Sequence, residues 1–255
     1  MSVTPSSASM PSPVAAPASP APLPSWLTPT ILTAAVIAQV VFALHILGSA
    51  PIFGDDHSSH LGAIRHLIAL LGHGETNLYC PTYNLGFPMY LYYQPLPHLV
   101  VALLHIVSFG AITPQLALNI VVVLLWALYP LAVYRGISRL DVDPLAALLA
   151  ALAAPLVSSS LTFGFTIHSV MALGLYTQTW AMVLFPLALG AGWRALRDDA
   201  IWRHVVGGAG GLLLLSLSHA FYGMVLGTAL LIAVLARPRP TRLLRGRFLR
   251  LAGLG

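Results

Sequence analysis

The chain has 255 residues, of which 58% are apolar and only 7% are charged. Several runs of roughly 20 apolar residues match the length that a helix needs to cross hydrocarbon, so an ordinary soluble domain is excluded. The formal net charge is +5, but all twelve basic residues are arginines, mostly beside apolar segments. There they indicate membrane topology rather than binding to nucleic acid.

The sequence predicts an all-α, polytopic transmembrane helix bundle. Backbone groups in a bilayer must be paired within the protein, and alternating strands of about ten residues are absent, so helices rather than a barrel are expected. Residues 1–26 are rich in Pro, Ala and Ser and carry no charged side chain, which predicts a disordered tail. The single Cys80 excludes an intramolecular disulfide and a cysteine metal cluster.

Apolar segments follow the tail in close succession. The first, 27–50, lacks a basic n-region and is therefore predicted to be an uncleaved helix. The others lie at 95–112, 114–136, 144–160, 176–196, 203–218 and 220–236. A basic juxtamembrane segment and the start of a further apolar run fill 237–255, as expected for part of a longer protein. The predicted transmembrane domain is 27–236.

The segment 95–110 decides the topology. It is short and contains two prolines and two histidines, which favours a helix in the membrane interface. The chain then makes about six spans with a cytoplasmic N-terminus, and outer loops at 51–113, 159–175 and near 219. In the alternative, 95–112 is a full span and the N-terminus is outside. Both place most arginines in the cytoplasm, so the positive-inside rule does not separate them.

The stretch GDDHSSHLGAIRHL, 54–67, holds two of the seven acidic residues of the chain. Apolar residues at three- and four-residue spacing predict an amphipathic surface helix over about 56–72. Asp56 and His60 share one face of that helix, which points toward the protein or the membrane. Asp55 or Asp56 could cap the helix, but one cap needs one carboxylate. The second acid suggests a general base tuned by its surroundings.

Several stretches resemble a known family. The acidic pair, the surface helix and GFPMYLYYQPLPHLVVALL at 86–104 look like the opening of the GT-C superfamily of membrane glycosyltransferases. They are most similar to bacterial membrane proteins related to the 6-pyruvoyl-tetrahydropterin-synthase-related domain. GLYTQTWAMVLFPLALG at 174–190 and LLLLSLSHAFYG at 212–223 resemble later helices of those proteins. The resemblance covers residues 27–236.

The resemblance implies two juxtamembrane helices in the first outer loop and an active site that faces outward. It implies transfer of a sugar from a polyprenyl-phosphate carrier, with an acidic residue of that loop as the base. Asp55 and Asp56 match the position of that residue. The implied partners are a lipid-linked sugar donor and membrane lipids, in a multi-pass protein of the cell membrane; the oligomeric state stays open.

A departing lipid phosphate needs positive charge nearby. The sequence offers candidate substrate-binding residues in the outer loops: His57, His60, Arg65, His168 and His219. No cofactor is required, although a divalent metal is possible, with His57 and His60 as two ligands. Each has a structural alternative: Arg65 could extend to lipid head groups, and the histidines could hydrogen-bond within the bundle. The tyrosines of 79–93 could stack on a sugar or form an interfacial aromatic belt.

Two other classes of function fit the composition. A transporter or flippase usually carries ionisable residues inside its spans, whereas here the charges lie at span ends and only His45 is clearly inside one. A noncatalytic membrane scaffold is the second alternative.

Overall fold

A computed structural model describes residues 24–47, 54–75, 79–81, 86–158, 164–197 and 202–236. In these ranges every regular element is a helix, and strand pairing is limited to the isolated bridges Cys80–Phe87 and Ser158–Gly164. The predicted all-α class is therefore confirmed. The expectations for most of the N-terminal tail and for 237–255 lie outside the described residues.

The helices follow the apolar segments closely. They are α1 (Leu27–Ala43), α2 (His57–Gly72), α3 (Met89–Tyr92), α4 (Pro95–Val107), α5 (Pro114–Ile137), α6 (Pro144–Ala153), α7 (Ile167–Leu173), α8 (Tyr176–Ala195), α9 (Trp202–Ser218) and α10 (Ala220–Leu235). Short 3₁₀ turns extend α1 to Ile46, α5 to Leu140 and α6 to Leu156. The predicted surface helix at 56–72 is α2, and the short segment at 95–110 forms the 13-residue α4.

Local sequence signals explain where several helices begin. Thr113 and Asp143 accept hydrogen bonds from the first-turn N–H groups of α5 and α6, and each is followed by a proline. Proline suits the first helical position because its missing N–H would have no partner there. Thr166 caps α7 in the same way, through the N–H of Ser169.

Six helices, α1, α5, α6, α8, α9 and α10, alternate in direction. The Asn119 side chain near the start of α5 donates to the Ile46 carbonyl at the end of α1, so these two helices are antiparallel. Between α8 and α9, Gly192 lies against Gly208 while Ala188 lies against Gly211, which is also antiparallel. The short helices α2, α3, α4 and α7 gather at one end of this bundle, called here the loop end.

The opposite end carries most of the described arginines and is called here the arginine end. It includes Arg135, Arg139, Arg194, Arg197 and Arg203. At this end Asp141 pairs with Arg194, with 3.3 Å between Oδ1 and Nη2, and also with Arg197. The two ion pairs connect the end of α5 to the end of α8.

The main apolar core surrounds α5, where Leu118, Val122 and Trp126 are buried with Ile64 of α2 and Val101 of α4. Two described helices, Leu27–Ile46 and Pro114–Leu140, are long and apolar enough to cross a membrane. They differ in exposure: 11% of the residues in the most apolar part of α1 are buried, against 67% for α5. Of these two helices, α5 is therefore the one that is central to the bundle.

Candidate functional site

The acidic pair lies at the loop end, between α2 and α7. The backbone N–H of Asp55 donates to the Ala172 carbonyl at 3.4 Å, and that of Asp56 donates to the Leu173 carbonyl at 3.2 Å. The last carbonyls of a helix have no partner within it. The acidic segment therefore caps the C-terminal end of α7 and is held in place by its own main chain.

Two glycines permit this contact. A Cβ on Gly54 would lie 2.3 Å from the Met171 carbonyl oxygen. A Cβ on Gly174, whose φ is +71°, would lie 2.6 Å from the His57 nitrogen and 2.8 Å from the Asp56 nitrogen. Only glycine gives both the close approach and the left-handed backbone without strain. The position of the carboxylates thus depends on contact between two loops, at Gly54 and at Gly174, that are distant in sequence.

Both carboxylates are exposed. Asp56 occupies the position before α2, yet its side chain makes no capping hydrogen bond. Asp143 shows the contrast within this chain, because its Oδ1 accepts from the N–H groups of Leu145 at 2.9 Å and Ala146 at 3.1 Å. Helix capping therefore explains the presence of Asp143, whereas the Asp56 carboxylate is not used as a cap and is available to a ligand. Asp56 is exposed, whereas His60, four residues further along the same row of α2, is buried.

Beneath the acidic pair lies a buried cluster of histidine and tyrosine rings. His60 of α2 and His98 of α4 are joined through Nδ1 and Nε2 at 3.1 Å, and His98 Nδ1 lies 3.1 Å from the Gln94 carbonyl oxygen. The rings of Tyr93 and Tyr176 pack around the pair, with centroids 5.6 to 6.1 Å from those of the two histidines. Four separate segments of the chain meet in this cluster.

His57 is 2% exposed, and neither of its ring nitrogens has a hydrogen-bond partner. A buried polar group without a partner costs free energy, so such a group calls for a specific explanation. His57 follows the acidic pair directly and lies one turn before His60 on the buried face of α2.

Burial keeps these imidazoles neutral. Desolvation lowers the pKa of His57 from 6.5 to about 4. Desolvation, followed by the charges of His98 and His57, lowers the pKa of His60 to about 3. The sequence offered both residues as cations for a departing phosphate. At neutral pH they are uncharged, so their role at the site is restricted to hydrogen bonding.

The other candidate residues lie at different distances from the acidic pair. Arg65 is on the exposed face of α2, nine residues from Asp56, a rise of about 13 Å along a helix. His168 is exposed on α7, one turn before the carbonyl that binds the Asp55 N–H. His219 precedes α10 at the same end of the bundle, with its ring centroid 4.9 Å from that of Tyr222. The structure thus brings His168 close and leaves Arg65 apart.

A metal site does not follow from this arrangement. Among the residues that the structure describes, no group of three or more His, Cys, Asp and Glu side chains is placed to hold an ion. Within the described ranges, His57 and His60 do not acquire the further ligands that a zinc site needs. No step of a reaction is therefore assigned to a metal.

Sequence reasoning did not connect His98 or Tyr176 with the acidic segment. His98 lies 38 residues beyond His60, and Tyr176 donates from its hydroxyl to the Pro97 carbonyl, 79 residues earlier. Contacts between residues so far apart in sequence leave no local pattern from which they could be predicted. The only sequence signs of the contact between the two loops were the glycines at 54 and 174, which are uninformative without the fold.

No family model matches this chain, and no match was found among curated proteins or among solved structures.

Proposed function

We propose that this protein is a membrane glycosyltransferase of GT-C type. It moves a sugar from a polyprenyl-phosphate carrier to an acceptor at the outer face of the cell membrane. Asp55 or Asp56 acts as the general base. The observation that carries the proposal is the acidic pair itself: it is exposed, Asp56 is not used as a helix cap, and the main chain of α7 fixes its position.

The distribution of charge supports an outward orientation of the pair. The arginine end carries Arg135, Arg139, Arg194, Arg197 and Arg203, whereas Arg65 is the only arginine described at the loop end. Cytoplasmic segments are enriched in arginine. The proposal places the arginine end and the start of α1 in the cytoplasm, and all six alternating helices across the membrane.

The proposed reaction is a single displacement at the anomeric carbon. The acceptor hydroxyl oxygen forms the new bond to that carbon, and its proton passes to the carboxylate. The bond from the anomeric carbon to the phosphate oxygen breaks, and its electron pair stays on the leaving lipid phosphate. A positioned carboxylate contributes about 10²- to 10⁴-fold to such a proton transfer.

The neighbours of the pair have defined roles in this proposal. His57 and His60 are neutral and buried beneath the acids, so they supply no positive charge to the departing phosphate. Exposed His168 lies next to the acidic segment on α7. Tyr93, which packs on His60 and is only partly buried, provides flat apolar surface of the kind that packs against sugar rings.

The test measures release of polyprenyl phosphate from synthetic polyprenyl-phosphate hexoses by membranes that contain the full chain. We expect Asp55→Asn and Asp56→Asn together to reduce release at least 100-fold. Asp143→Asn is the matched control, because it changes an exposed aspartate at the opposite end and should affect only the cap of α6. Full activity in the double variant would remove the proposal, as would movement of the donor across vesicles without cleavage, which is flippase behaviour.

A further inference from the structure

A second site lies at the arginine end, far from the acidic pair. A pocket of ≈ 490 Å³ opens there between the end of α8 and the start of α9. Its wall combines positive charge with small side chains: Arg139, Ala191, Arg194, Arg203, His204 and Gly207. The proposed sugar transfer does not use this group of side chains.

Among the described residues, the pocket carries more positive charge than the nearby carboxylate balances. Asp141 is the described carboxylate nearby, and it already pairs with Arg194 and Arg197. Arg139 and Arg203 are exposed and line the pocket in addition. The wall, as far as the structure describes it, contains no carboxylate. Guanidinium groups placed together in this way favour a phosphate or carboxylate ligand.

The backbone adds to this preference. Arg203 and His204 are in the first turn of α9, where the helical N–H groups lack partners within the helix. Such a turn favours negative charge. The small residues Ala191 and Gly207 leave the pocket open, since a Cβ on Gly207 would lie 3.8 Å from the Ala191 Cβ, an ordinary contact.

We infer that this pocket binds the phosphate-bearing head group of an anionic membrane phospholipid. Basic pockets between helices at the cytoplasmic surface suit such head groups, and the pocket opens at the end of the bundle that the arginine distribution assigns to the cytoplasm. The bound head group would connect α5, α8 and α9. The inference rests on the membrane location in the proposed function and not on sugar transfer.

The first experiment follows thermal unfolding of the purified full chain in neutral detergent with added phosphatidylglycerol. Binding to the folded state alone raises the melting temperature, here by about 5 °C at saturating lipid. We expect the Arg139→Gln, Arg203→Gln double variant to lose at least half of this increase. Arg65→Gln is the matched control, because it removes an exposed arginine at the loop end and should keep the increase.

A steric variant separates the pocket from general surface charge. Gly207→Leu keeps every arginine but places a side chain in the pocket, so the lipid effect should disappear. Gly210→Leu is its control on the same helix, because a Cβ on Gly210 meets no atom within 4 Å. If Gly207→Leu does not give a folded protein, the arginine variants decide the question.

Three results would overturn the inference. One is the absence of any increase in melting temperature with phosphatidylglycerol. The same result is expected if Asp198 and Asp199, which lie outside the described residues, neutralise the pocket. The second is an equal increase with zwitterionic phosphatidylcholine, and the third is an equal increase with inorganic phosphate alone. The Asp55→Asn, Asp56→Asn variant should keep the lipid effect, so loss of sugar transfer and loss of lipid binding are separate outcomes.

Discussion

At the scale of single residues, the unpaired His57 makes the stability of the loop end depend on pH. Its ring is buried, and its pKa falls from 6.5 to about 4 because of desolvation. The unfolded chain therefore binds a proton in the interval between these two values while the folded chain does not. Stability is thus present above pH 6.5 and is lost as the pH falls toward 4.

This shift predicts that the melting temperature falls between pH 7 and pH 4, with His57 contributing roughly 3 kcal/mol of the loss. His57→Leu should remove that part, because leucine neither titrates nor needs a hydrogen-bond partner. The measurement is thermal unfolding of the purified protein in detergent across this pH range. His73→Gln is the control, since it replaces an exposed histidine just after α2. Equal pH dependence in His57→Leu and the parent protein would contradict the assignment.

At the scale of elements, glycines set the distance between α8 and α9. A Cβ on Gly208 would lie 3.1 Å from the Gly192 Cα, and a Cβ on Gly211 would lie 2.9 Å from the Ala188 Cβ. Small residues at such contacts let helix backbones approach closely, as is common between helices in membranes.

This packing predicts that Gly211→Val destabilises the protein by about 1 to 3 kcal/mol, because the added side chain would overlap α8. The neighbouring Gly210→Val should have a much smaller effect, since Gly210 faces open space. Thermal unfolding of both variants in one detergent provides the comparison. Equal losses would show that helix propensity, and not the close approach, explains the effect.

Most helices could be predicted from the sequence because their signals are local. Apolar spacing predicted α2, and the short apolar segment at 95–110 predicted a helix that the structure shows as α4. The small helices α3 and α7 were not predicted. With four and seven residues, they are too short for periodicity to be recognised. Their positions depend on tertiary contacts.

At the scale of the whole molecule, the sequence predicted the acidic pair but not its surroundings. The pair was recognisable because charge is rare in this chain. The acidic segment is held on α7 by main-chain hydrogen bonds, such as the one from Asp56 to Leu173. Such bonds leave no pattern of side chains in the sequence. The His60–His98 contact likewise arises from the packing of α2 on α4. Burial makes His57 and His60 neutral, although the sequence predicted both as cations.

The orientation of the whole molecule gives the last prediction, because the sequence leaves two topologies open. The native thiol does not report it, since Cys80 is only 5% exposed. In a Cys80→Ala background, single cysteines at the exposed Ser58, Ala111 and Val142 sample α2, the α4–α5 link and the arginine end. If α4 does not cross the membrane, a membrane-impermeant thiol reagent should label Ser58→Cys and Ala111→Cys in intact cells, and Val142→Cys only after permeabilisation.

The alternative topology predicts a different labelling pattern. If α4 crosses the membrane, Ala111→Cys reacts in intact cells while Ser58→Cys requires permeabilisation. Asp55 and Asp56, adjacent to Ser58 in the chain, would then face the cytoplasm, and an outward-facing transferase would be wrong. The packing of α4 on the predicted surface helix α2 favours the first pattern, as do the two prolines and two histidines within α4, which make it a poor span.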